Sequence, residues 1–147
     1  MKKLETDRLI LRDWTIEDIG CEVYSEDEIR YLLAAQNNYA VVLKENGVVI
    51  GTIGLNEDAD NNQDVRNVGI CLLEPYWNQG LMSEALKCVI QNVENHIKEL
   101  SYLCETDDMR SQHIAQKFGF QYVKTFYNVQ SRNYSESKDF YYYKLKL

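Results

Sequence analysis

The run Asn78-Gln79-Gly80-Leu81-Met82-Ser83 lies where an apolar stretch ends and a helical pattern begins. A short glycine turn between a strand and a helix leaves several backbone N–H groups unpaired at the positive end of the helix dipole, which makes an anion site. Gly80 allows the backbone to approach such a ligand closely. No Lys or Arg falls between Glu74 and Leu86, so anion binding here rests on backbone dipoles. The alternative is an ordinary turn before a structural helix. A second feature is the acidic run containing Glu57, Asp58 and Asp60. Clustered carboxylates attract a cation, and salt weakens the attraction. The alternative is a solvated loop. His96 and His113 fall on polar helical faces and read as surface or capping residues. Cys21, Cys71, Cys88 and Cys104 are isolated and form no Cys-x-x-Cys pair, so they read as reduced thiols without a metal site.

The elements around these residues follow from periodicity. Arg8 to Trp14 reads as a strand, followed by acidic, partly helical sequence to about Asn38, with Thr15 as N-cap. Tyr39 to Leu43 and Val48 to Leu55 are strands flanking Glu45-Asn46-Gly47, a hairpin signal. Asn56 to Asn62 is a loop and Val65 to Leu73 a strand. Met82, Ala85, Leu86, Val89, Ile90, Val93 and Ile97 repeat at helical spacing, with Glu84/Lys87 and Glu94/Lys98 as surface pairs. Ser101 to Glu105 is a short strand. Asp107 or Asp108 caps a second helix with Ile114, Ala115 and Phe118 on its apolar face, ending at Gly119. Gln121 to Val129 and Phe140 to Leu147 close the sheet around a polar loop, Ser131 to Asp139. Tyr141-Tyr142-Tyr143 reads first as strand core or edge, with one tyrosine able to line an acceptor pocket. This order predicts one α/β domain over residues 1–147, with a mixed, twisted sheet of about six or seven strands and one right-handed parallel crossover.

The 147 residues are enough for one core, and 45% hydrophobic with 27% charged residues is ordinary for a globular chain. A net charge of −7 argues against a nucleic-acid partner, which needs clustered Lys and Arg. No run approaches the ~20 apolar residues of a membrane span, and the start shows no signal peptide, so a cytoplasmic, reducing location is expected.

The run from Tyr76 through Leu86 resembles the GNAT superfamily of acetyltransferases, within it the branch that acetylates ribosomal-protein N-termini at alanine or serine. Glu5-Thr6-Asp7-Arg8-Leu9-Ile10-Leu11-Arg12 and Ser111 through Phe120 match in order and spacing, so the resemblance covers nearly the whole chain. It implies acetyl-CoA as cosubstrate, with its pyrophosphate on Asn78, Gln79, Gly80, Leu81, Met82 and Ser83. It also implies backbone donors at Ile70, Cys71 and Leu72 for the pantetheine arm and thioester carbonyl. Ser111 matches the serine of an Asn-x-x-Ser motif that protonates or hydrogen-bonds the leaving sulfur. Asp108 replaces that motif's asparagine, which puts it at the cofactor, while its own chemistry makes it an N-cap. Glu57 and Asp58 lie near where such enzymes admit the amine and are candidate water-mediated bases, since a free amine with a pKa of about 8 to 10.4 must lose a proton. Three departures stand out: Met82 where a small residue is usual, no loop cation, and Ala115 where many members carry an acidic tyrosine.

The expected function is transfer of an acetyl group to a primary amine, either a peptide N-terminus or a small molecule. The alternative is a degenerate domain that binds CoA or a partner without turnover. The segment between the first strand and the hairpin, about 25 residues, is shorter than in the resembled branch. It leaves either an open acceptor site or one completed by a second subunit in a homodimer.

Overall fold

The computed structural model describes residues 1–130 and 135–147. Ser131 to Tyr134, the first part of the expected polar loop, lie outside the described residues. Eight strands stand in the order β1-β2-β3-β4-β5-β6-β8-β7, with three α-helices. The chain groups into two compact units: Met1–Asn56 with Gly69–Glu94, and Glu57–Val68 with Asn95–Leu147.

In the first unit, β1 (Leu4–Glu5) and β2 (Leu9–Asp13) pair antiparallel, Leu4 against Leu11. Leu9 and Leu11 are fully buried while Ile10 and Arg12 are half-buried, the period-2 signature of a strand with one core face. β3 (Asn38–Leu43) and β4 (Val49–Glu57) form the expected hairpin, with Gly47 in the left-handed region at φ 72°. β4 runs two residues past the expected Leu55, so Asn56 and Glu57 are strand rather than loop.

Between β2 and β3 lie a 3-10 turn, Ile16–Asp18, and one helix, α1 (Glu26–Ala35). Thr15 precedes the turn as expected, and Ser25 caps α1 by accepting from the Glu28 N–H. Arg12 grips Asp18 in a bidentate pair at 2.9 Å for both contacts. Burial pushes the Asp18 carboxyl up, but the guanidinium and the Thr15 N–H outweigh it and hold the pKa below the usual value. Ile29 and Leu32 of α1 join Trp14, Ala40, Val42 and Val49 in one core cluster.

α2 (Leu81–Gln91) buries Leu81, Met82, Ala85, Leu86 and Val89. It ends at the Asn92 cap, so Val93 and Ile97 are not helical, although the apolar spacing continues through them. Asn92 bonds the Cys88 carbonyl with its side chain, which satisfies an end carbonyl.

In the second unit, the first part of β5 (Val65–Leu72) pairs parallel with β6 (Glu99–Glu105) from Val65↔Glu99 to Val68↔Tyr102. β8 (Lys138–Lys146) lies antiparallel to β6 and to β7 (Gln121–Val129). α3 (Met109–Lys117) packs on β6 and ends before Gly119, φ 83°, as its sequence requires. Tyr102 packs against Phe120 and Tyr142 against Phe126; Tyr142 and Tyr143 are core residues.

Candidate functional site

The turn into α2 has the geometry of an anion cradle. Asn78 and Gly80 both adopt left-handed backbone, φ 60° and 74°, and Gly80 caps the helix. A Cβ at Gly80 would meet only the Arg8 guanidinium, at 3.6 Å, so the concave side of the turn is open. Leu81 and Met82 occupy the first helical turn, where an N–H has no carbonyl one turn back. The Met82 side chain is buried in the core, which removes it from the open side. Trp77 locks the turn by donating its Nε1–H to the Leu72 carbonyl at 2.7 Å.

The cation missing from the loop's sequence arrives from the turn between β1 and β2. Arg8 donates from Nη1 to the Gln79 carbonyl at 3.0 Å and from Nε to Glu84 at 2.9 Å. Glu84 also accepts from the Thr6 hydroxyl and, at 3.0 Å, from the Arg8 N–H. Burial raises the Glu84 pKa, but the Thr6 hydroxyl and the Arg8 donors bring it below the usual value. Glu84 is therefore tied to the turn between β1 and β2 and not, as expected, to Lys87. Arg8, Lys44, Tyr76 and Gln79 also line an open cleft of about 530 Å³ beside the turn. Arg8 belongs to the N-terminal segment that carries the resemblance, but nothing local to it signals a contact with a residue 71 positions along the chain.

β5 leads into this turn. Its registered pairs with β6 end at Val68↔Tyr102, while the strand goes on through Leu72. Cys71 is exposed and Ile70 and Leu72 are half-buried. β4 approaches so closely here that a Cβ on Gly51 would lie 2.3 Å from the Cys71 carbonyl oxygen, which explains the glycine. The same unit holds a pocket of about 430 Å³ lined by Tyr24, Asp27, Glu28, Tyr31 and Leu32 of the α1 region, with Asn38 and Asn56.

The remaining candidates belong to the second unit. Asp108 caps α3, accepting from the Ser111 N–H at 3.1 Å. Burial pushes the Tyr102 phenol up to about 12 against an opposing hydrogen bond from the Ser111 side chain, so a buried tyrosine faces the Ser111 hydroxyl. Tyr102 lies in an apolar strand pattern, and no local signal marks it as a site residue. Ala115 is fully buried.

The expected solvated loop is only partly solvated. Glu57 and Asp60 are exposed, but Asp58 is buried. Its Oδ1 accepts from the Ser101 hydroxyl at 2.8 Å and from the Tyr142 hydroxyl, and its Oδ2 accepts from the Asp60 N–H at 3.1 Å. Burial raises its pKa, yet these donors leave it lowered. Asp60 pairs with Lys124 at 2.8 Å. His113 lies exposed on α3, while His96 is exposed beyond the end of α2, not on a helical face. Among the described residues no helix is long and apolar enough to cross a membrane.

Solved structures share the whole fold at low identity. An acetyltransferase of the GNAT family from Bacillus anthracis matches with TM-score 0.80 and 18% identity, over 99% of this chain and 98% of its own. The microcin C7 self-immunity acetyltransferase MccE, in complex with acetyl-CoA and AMP, matches at 0.76 and 16%, over 97% and 94%. The ribosomal L7/L12 α-N-protein acetyltransferase RimL, in complex with coenzyme A, matches at 0.78 and 16%, over 99% and 98%. No curated protein matches the sequence. A family model of the acetyltransferase (GNAT) domain matches residues 22–121, more than half of the chain. The chain belongs to the GNAT acetyltransferase family.

Proposed function

We propose that the protein transfers an acetyl group from acetyl-CoA to a primary amine, in the cytoplasm. The observation that carries this is the turn into α2: left-handed Asn78 and Gly80, an open concave side and the Arg8 guanidinium at its edge. These features suit a pyrophosphate, and two of the three departures from the family pattern lose their force, since Met82 is buried and Arg8 supplies a cation.

Acetyl-CoA supplies an acyl group already activated as a thioester. The pyrophosphate rests on the N–H groups of Gly80, Leu81 and Met82, with Asn78, Gln79 and Ser83 shaping the turn. Backbone N–H groups of Ile70 to Leu72 hold the pantetheine arm and polarise the carbonyl. The amine nitrogen forms the new C–N bond and the C–S bond breaks, its electron pair leaving with sulfur. Ser111, set at the α3 entry by the Asp108 cap, donates its hydroxyl hydrogen bond to that sulfur. Exposed Glu57 draws the proton from the ammonium through water, and buried Asp58 anchors the strand end that carries Glu57.

Two measurements test this. Acetyl-CoA at ~100-fold above its dissociation constant stabilises the fold by roughly 2.7 kcal/mol. CoA release over a panel of amines then reports turnover. A folded sample with no thermal shift at millimolar acetyl-CoA rules out the cosubstrate. Binding without turnover of any amine leaves the non-catalytic reading. Ser111→Ala lowers kcat by roughly tenfold with acetyl-CoA affinity unchanged, when chemistry is rate-limiting. An unchanged kcat returns Ser111 to a structural role.

A further inference from the structure

The pocket beside α1 is unusual in its lining. Asp27 and Glu28 stand on its rim in the first turn of the helix, and among the described residues that line it there is no cationic side chain. Tyr31, 72% exposed, and half-buried Tyr24 supply aromatic faces, and Tyr24 is held by its ring contact with Trp14 at 5.3 Å. One wall is a lattice of carboxamides. Asn37 donates to Asn56 at 3.2 Å and Asn38 donates to Asn37 at 2.6 Å. The lattice fits only because Gly54 has no side chain: a Cβ there would lie 2.1 Å from the Asn38 Oδ1.

The pocket also reaches the strand proposed to hold the thioester. A Cβ on Gly69 of β5 would lie 3.1 Å from the Nδ2 of Asn56, which lines the pocket. Asn56 thus brings the pocket and the β5 backbone side by side within one unit.

We propose that this pocket takes a small amine acceptor bearing a second positive charge, of the diamine, polyamine or amino-sugar class, with Asp27, Glu28 and the Tyr31 ring holding the charge that does not react. The identity of the acceptor rests on the acetyltransferase reading; the binding of a dication does not. One nitrogen, deprotonated, forms the C–N bond while the C–S bond breaks and sulfur keeps the electron pair and gains a proton. The other nitrogen stays charged throughout. An ammonium between carboxylates and over an aromatic face is favoured by both ion pairing and cation–π attraction. A monocationic amine of equal length lacks that partner, and an amino acid of equal length would bring a carboxylate against Asp27 and Glu28.

The test compares 1,4-diaminobutane, n-butylamine and 4-aminobutanoic acid on the full chain, by calorimetric binding in the presence of CoA and by kcat/KM for CoA release. The expected order is diamine first, by about tenfold or more over the monoamine, with the amino acid last. Asp27→Asn with Glu28→Gln abolishes the preference for the diamine. Glu26→Gln, one residue away on the same helical turn but paired with Arg30 outside the pocket, leaves it intact. Equal affinity for diamine and monoamine in the parent overturns the proposal without any variant. So does a peptide with N-terminal serine turned over faster than the diamine. Diamine binding that depends on Asp27 and Glu28, in a protein that turns over no amine, upholds the pocket and rejects catalysis.

Discussion

Glu84 and Asp58 are both carboxylates held below their ordinary pKa, and they are held by opposite means. Glu84, at the entry to α2, is partly exposed and answers a cation, Arg8, along with the Thr6 hydroxyl. Asp58 is buried, and its donors are neutral: the Ser101 and Tyr142 hydroxyls and the backbone N–H groups of Asp60 and Asn62. A charge beside solvent keeps a formal counter-charge within reach of incoming ligands. A charge inside the protein is stabilised by dipoles that can go nowhere else, and it is costly to disturb. The first arrangement suits a binding edge; the second suits an anchor at the end of β4.

The largest expected effect lies on the buried side. Asp58→Asn removes the charge that two hydroxyls solvate and lowers stability by about 2 kcal/mol in urea unfolding near neutral pH. Because the folded pKa of Asp58 is lowered, its contribution is complete above the ordinary carboxylate value of about 3.9 and is lost as pH falls through the lower folded value. The variant should therefore also show a weaker loss of stability in acid. A variant as stable as the parent at pH 7 would show that the hydroxyls, and not the charge, hold the strand end.

Next comes the binding edge itself. Gly80→Val places a β-branched side chain at φ 74° and into the open side of the turn. Acetyl-CoA affinity by calorimetry should fall by at least about tenfold, more than the fall in unfolding free energy accounts for. Equal affinity would reduce the turn to a connector.

Arg8→Gln sharpens the contrast between cation and dipole. It should weaken acetyl-CoA binding by roughly fivefold, the ~1 kcal/mol of a solvent-facing ion pair, and flatten its salt dependence. If affinity holds at low salt, backbone dipoles alone bind the phosphates. The smallest effect belongs to Asp60, which is exposed and paired with Lys124. Asp60→Asn should change stability by less than ~0.5 kcal/mol, which separates it from its neighbour Asp58 two residues away.

At both carboxylates the structure departs from the sequence pattern for one reason. Helical spacing pairs Glu84 with Lys87, and the polar sequence around Asp58 points it to solvent. Their actual partners are far along the chain: Thr6 and Arg8 for Glu84, Ser101 and Tyr142 for Asp58. Helical periodicity reports which residues share a face, not what lies across from that face. The same limit explains Val93 and Ile97, whose spacing extends a pattern that the Asn92 cap has already ended.

The amino-acid sequence by itself determined the order of strands and helices from β2 onward, the hairpin at Gly47, a cap at Asp107 or Asp108, the helix end at Gly119, and the strand–turn–helix at Asn78 to Ser83, while the short β1 and the choice of Asp108 came from the structure. Each depends on φ preference, side-chain capping or apolar period, which act between residues a few positions apart. Tertiary structure alone decided that Arg8 bonds the Gln79 carbonyl, that Met82 and Asp58 are buried, and that Tyr24, Asp27, Glu28 and Tyr31 surround one pocket with Asn38 and Asn56. Those outcomes depend on which segments the folded sheet brings together, and no short-range rule contains that information.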